Sequence, residues 1–113
     1  ADLQTLFTQA EKRPGYILQT FLYAAILTHR QNMPVAPSLL YIHKAASATY
    51  SPVISIGKGR DKKEVLNFKE YDAEFRHLLK NLLEEIFNPE IPFTQTEFKS
   101  HCAYCDFKEL CRQ

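Results

Sequence analysis

An α+β fold of two or three strands with flanking helices is predicted by three features of the sequence. Two long segments carry apolar residues at helical spacing, short runs between them read as strands, and Pro or Gly punctuates the junctions. The chain has 113 residues, 45% hydrophobic and 24% charged, which is the composition of a folded domain and not of a disordered one. No apolar run reaches the roughly 20 residues that span a bilayer, and no signal-peptide pattern opens the chain. The expected location is therefore cytoplasmic, with no membrane partner.

The first element is a short helix over residues 2–12, capped by Asp2, with Leu3, Leu6, Phe7 and Ala10 on one face. Arg13-Pro14-Gly15 breaks it. A longer helix over residues 16–31 is apolar on nearly every side through Ile17, Leu18, Phe21, Leu22, Ala24, Ala25, Ile26 and Leu27. Such a helix is normally buried between other elements, and a chain of 113 residues has little material to cover both its faces. Asn32-Met33-Pro34 ends it.

Strands are expected over residues 38–44 and 53–56, introduced by Pro37 and by Ser51-Pro52. Gly57 and Gly59 mark a turn, and residues 65–68 form the optional third strand. An amphipathic helix spans residues 71–87, with Phe75, Leu78, Leu79, Leu82, Leu83 and Ile86 as its stripe, and Asn88-Pro89 stops it. Residues 1–93 are thus expected to form a core portion and residues 94–113 a cysteine-rich tail. Two or three strands do not satisfy the edges and faces of a sheet unaided. The expectation is docking on an upstream part of a longer chain, or self-association; Ala1 at the start fits processing, a tag scar or a cut from a longer protein.

The formal net charge of +1 provides no overall field toward nucleic acid. Locally, Lys58, Arg60, Lys62 and Lys63 cluster within residues 57–64, which suits either a solvated turn or a phosphate-contacting loop. Cys102, Cys105 and Cys111 are spaced C-x2-C-x5-C. A CxxC turn brings two thiolates to one ion or cluster, and a following short helix can present the third. Spacing alone leaves open unrelated thiols or a disulfide, a zinc site completed by a His, and an iron–sulfur cluster. His101 directly precedes Cys102 and is badly placed to share its metal; His29 and His77 read as structural or exposed, and His43 sits on the first strand. Gln19 and Tyr23, at i and i+4, put a polar pair on one face of an apolar helix. That pair is either satisfied in the core or turned to a wet cleft.

The tail from Pro92-Phe-Thr-Gln-Thr through Cys102-Ala-Tyr-Cys105-Asp-Phe-Lys-Glu-Leu-Cys111-Arg112 resembles the end of RecB-family nucleases, which include AddB subunits of helicase–nucleases within the PD-(D/E)XK superfamily. The resemblance implies that Cys102, Cys105 and Cys111 supply three ligands of a 4Fe–4S cluster whose fourth cysteine lies far upstream. Gln19-Thr-Phe-Leu-Tyr23 is similar to the family's Q-x3-Y helix, which implies that Gln19 and Tyr23 bind substrate beside the DNA phosphate and the catalytic metal. The stretch Glu84-Glu-Ile-Phe-Asn-Pro89, then Ile91-Pro-Phe93, is similar to the family's link from its last core helix to the cluster.

The implied whole is the C-terminal portion of a restriction-endonuclease-like core from an α/β parent. Such a parent would be a Mg²⁺- or Mn²⁺-dependent DNA exonuclease or endonuclease of repair or recombination, with a helicase subunit fused or partnered. The family's carboxylates, an Asp and an acid-x-Lys on adjacent strands, precede the Q-x3-Y helix, and here only the first short helix does. Asp61-Lys-Lys-Glu-Val65 falls on a predicted turn and is not read as a displaced active site, since hydrolysis needs two or three carboxylates converging on the ion. The chain alone is expected to have no catalytic residues and no activity. The alternative is a small zinc-stabilised module that binds protein or nucleic acid without catalysis.

Overall fold

A computed structural model describes residues 2–8, 14–31, 33–57 and 59–112. Its helices are α1, Gly15–Arg30, and α2, Lys69–Ile86; its strands are β1, Ser55–Ile56, and β2, Lys63–Glu64. Short 3₁₀ turns lie at Gln4–Leu6, Ile42–Lys44, Gly59–Asp61 and Lys99–Cys102. The architecture is α+β, and among the described residues no helix is long and apolar enough to cross a membrane.

Asp2 does organise the N-terminal turn. Thr5 donates its backbone N–H to Asp2 Oδ1 (3.0 Å) and its hydroxyl to the Asp2 carbonyl (2.7 Å). What forms there is a 3₁₀ turn and not the start of a regular α-helix; residues 9–12 of the expected helix lie outside the described residues. α1 starts beside Pro14, whose carbonyl accepts the N–H groups of Ile17 and Leu18. It ends with His29 and Arg30 in its last turn, where positive charge suits the carbonyl end of a helix. α2 carries Glu70 and Asp72 in its first turn, the complementary choice, and Asn67 Oδ1 accepts the Lys69 N–H at 3.2 Å.

The two helices meet through aromatic rings. Phe21 of α1 lies edge-on to Phe68 and Phe75, at centroid distances of 5.3 and 6.1 Å, and Phe68 and Phe75 are 5.6 Å apart. Phe7 closes the cluster from the N-terminal turn, 5.5 Å from Phe75. Leu3, Leu6, Ala24, Ala25, Ile54 and Val65 complete the buried core. Arg76 adds a polar tie: its Nε faces the Asp72 carboxylate at 2.9 and 3.0 Å while its Nη2 donates to the Ala25 carbonyl at 3.1 Å.

β1 and β2 pair antiparallel, with Ser55 opposite Glu64 and Ile56 opposite Lys63. Gly57 makes the turn with φ of 122°, and a Cβ there would lie 2.6 Å from the Asp61 carbonyl oxygen, so only glycine fits. The Val65 N–H donates to the Ile54 carbonyl at 2.8 Å, extending the ladder and leading Val65 and Phe68 into the core.

Two strand expectations are corrected. Residues 38–44 are not a strand: Ser38 makes a single antiparallel bridge to Val53, and Ile42–Lys44 is a 3₁₀ turn. The cause is Tyr50, whose hydroxyl accepts the Tyr41 N–H at 2.7 Å and donates to the Leu39 carbonyl. A side chain thus takes the backbone groups that a ladder would have used. The third strand falls at Lys63–Glu64 and not at 65–68, because the Gly59–Asp61 turn brings the chain back early.

The aromatic cluster predicts a large asymmetry between positions. Phe21→Ala or Phe68→Ala should cost about 3–5 kcal/mol in urea unfolding, whereas Tyr104→Ala, at a side chain that is 100% exposed, should change stability by no more than about 0.5 kcal/mol.

Candidate functional site

α1 presents two unlike faces. A residue two positions from Phe21 lies about 200° round the helix from it, so Gln19 and Tyr23 both point away from the core that Phe21 enters. Gln19 Nε2 donates to the Tyr23 hydroxyl at 3.4 Å, and both side chains are exposed, Tyr23 by 58%. The pair is therefore not a satisfied core pair. Tyr16, Leu22, Ile26 and Leu27 are exposed beside it, an apolar surround for two polar groups.

Gln19 also lines a cavity of about 640 Å³ between α1 and α2, with Tyr16, Ile17, Leu22, Tyr41 and Leu79 among its walls. A second cavity of about 250 Å³ adjoins it; Ile17 and Tyr41 line both, and Ser51, Ser55 and Lys62 complete the polar side of the second. The basic turn is exposed at Arg60, Lys62 and Lys63, while Lys58 lies outside the described residues. Lys63 and Glu64 stand on β2 and not on the turn where the sequence placed them. That Tyr41 lines both cavities was not legible in the sequence, because the Tyr50 clamp on its N–H acts over nine positions.

The carboxylates are dispersed. Asp72 is held by Arg76, and Asp61 and Glu64 sit on the hairpin turn and its second strand. Among the described residues no group of three or more His, Cys, Asp or Glu side chains is gathered to hold a metal ion. The histidines at 29, 43 and 77 are exposed: His43 lies against the Tyr41 ring (6.2 Å), His77 Nε2 is 3.4 Å from Asn81 Nδ2, and His29 stands in the last turn of α1.

The cysteine tail is a chain of tight turns. The Cys105 N–H donates to the Cys102 carbonyl at 3.2 Å, closing the CxxC turn, and the Phe107 N–H donates to Cys105 Sγ at 3.4 Å. The Cys111 N–H donates to the Phe107 carbonyl at 3.0 Å, and Gln95 Nε2 donates to the Cys111 carbonyl at 3.0 Å, which ties the two ends of the tail together. Cys102 and Cys111 are half-buried, Cys105 is exposed, and no disulfide joins them. Three thiols with a backbone N–H on one sulfur are a suitable donor type for iron–sulfur or zinc. Among the described residues they are not drawn together into a ligand set.

No curated protein and no solved structure matches the chain. The family model of the PD-(D/E)XK nuclease superfamily matches residues 3–112, spanning both helices, the hairpin and the cysteine tail. The chain belongs to the PD-(D/E)XK nuclease superfamily.

Proposed function

We propose that the chain is the C-terminal part of a RecB-type DNA nuclease of repair or recombination, contributing DNA-facing and cluster-holding parts while the catalytic carboxylates come from elsewhere in the parent. The observation that carries this reading is the outward Gln19–Tyr23 pair on α1, in a chain matched to the superfamily over residues 3–112. Because the Tyr23 oxygen accepts from Gln19, its own hydrogen is left to donate toward a phosphate oxygen. The Gln19 carbonyl oxygen remains an acceptor for a metal-bound water or a nucleotide N–H. Both groups are carried by a helix whose far side is locked by Phe21, which suits positioning.

Mg²⁺ or Mn²⁺, when bound to the parent's carboxylates, would supply Lewis-acid stabilisation of the phosphate and an activated water. Ile26 and Leu27, exposed on α1 outside the cavity that Gln19 lines, would then be covered by the rest of the core. In this reading residues 1–93 are the core portion and residues 94–113 a separate cluster-binding tail. Cys102, Cys105 and Cys111 provide three ligands of a 4Fe–4S cluster, and the fourth comes from outside the chain. Such a cluster acts as a staple, joining distant parts of the sequence and closing a long loop.

With Mg²⁺ or Mn²⁺ added, the purified chain should leave linear DNA uncut. Cleavage that disappears in Asp61→Asn or Glu64→Gln would overturn the proposal by locating the active site within this chain.

A further inference from the structure

We infer that Tyr41 is a stacking platform for one unpaired base of single-stranded DNA, with Lys62 taking an adjoining phosphate. The inference rests on the nuclease reading above and adds the strand form that the surface accepts.

Tyr41 is held in an unusual way for an exposed aromatic. Its backbone N–H is fixed on the Tyr50 hydroxyl at 2.7 Å, the same hydroxyl donates to the Leu39 carbonyl, and the His43 ring lies 6.2 Å away. The Lys44 ammonium stands 5.4 Å from the ring centroid, a cation–π contact. The residue is nevertheless 39% exposed. The clamp fixes the backbone that carries the ring, and part of the residue's surface remains accessible beside Lys44 and His43.

Tyr41 lines two cavities of different chemistry, sharing that place with Ile17. The cavity of about 640 Å³ has apolar walls from Tyr16, Leu22 and Leu79, with Gln19 among them. The cavity of about 250 Å³ is lined on its polar side by Lys62, Ser51 and Ser55. Apolar walls with an aromatic rim and an amide suit the faces and edge of a base, while an ammonium with two hydroxyls suits a phosphate. A base paired in a duplex does not enter such a cavity without leaving its stack. Asp61 and Glu64 flank Lys62 and Lys63 in sequence and offset part of their charge, so stacking carries more of the affinity than a broad positive field.

Fluorescence anisotropy with labelled oligothymidine and with a duplex of equal length tests this on the purified chain. The single strand should bind at least about tenfold tighter, and Tyr41→Ala should weaken it about tenfold, within the range found for base–aromatic stacks. Tyr41→Phe should bind like the parent chain, and Tyr41→Leu, which keeps apolar bulk without a ring, should lose as much as Tyr41→Ala. Lys62→Ala should lower the slope of log affinity against log salt by about 0.7. Duplex bound as tightly as single strand, with Tyr41→Ala at parental affinity, overturns this inference and leaves the nuclease reading standing. Binding of neither form overturns both.

Discussion

Phe21 meets Phe68 at the mouth of α2 and Phe75 two turns further along it, and this three-ring contact decides how the rest of the chain is displayed. α1 is apolar on nearly all sides, so hydrophobicity alone gives it no preferred orientation. Edge-to-face rings do, since each such pair contributes about 0.5–1.5 kcal/mol beyond its buried area and has a defined geometry. With Phe21 inward, Gln19 and Tyr23 must lie outward. The same cluster draws Val65 and Phe68 inward, which holds the β-hairpin beside α1 and places Lys62 across a shared cavity wall from Gln19. Packing in the core thus sets the composition of the exposed surface.

The two long helices were legible because their signals are local. The expected helix at 16–31 lies at Gly15–Arg30, and the one at 71–87 lies at Lys69–Ile86, each within two residues. Helical spacing, Pro14 and Asn88-Pro89 act over one turn of chain, where sequence can be read directly. The strand expected at 38–44 failed for the opposite reason. Tyr50 reaches back across nine and eleven positions to the Tyr41 N–H and the Leu39 carbonyl, a competition that no period in the sequence records. Tyr41 therefore looked like a strand residue when it lines two cavities. The i,i+4 spacing of Gln19 and Tyr23 was legible, but the direction of their face was not. That direction is fixed by Phe68 and Phe75, which lie beyond the whole hairpin in the chain and outside the reach of any local rule.

The tail follows a different logic from the core. Its turns are local, from the CxxC turn at Cys102–Cys105 to the Gln95–Cys111 contact that ties its ends, and none of the five largest fully buried side chains belongs to it. The spacing of the cysteines was legible, but among the described residues they do not converge into a ligand set, and spacing carries no information on what else would reach them. In the proposed reading the three thiols are one contributor's share of a cluster site, and the core folds without them. A self-contained zinc module would instead draw its stability from the metal.

That contrast makes zinc content and its effect on folding the most direct measurement. The purified chain would be analysed for zinc per chain, then unfolded with and without a strong chelator. Substoichiometric zinc is expected, with an unfolding transition that the chelator leaves unchanged, because the aromatic cluster holds the fold and the cysteines are a partial ligand set. One tightly held zinc per chain, whose removal unfolds the protein, would contradict that expectation.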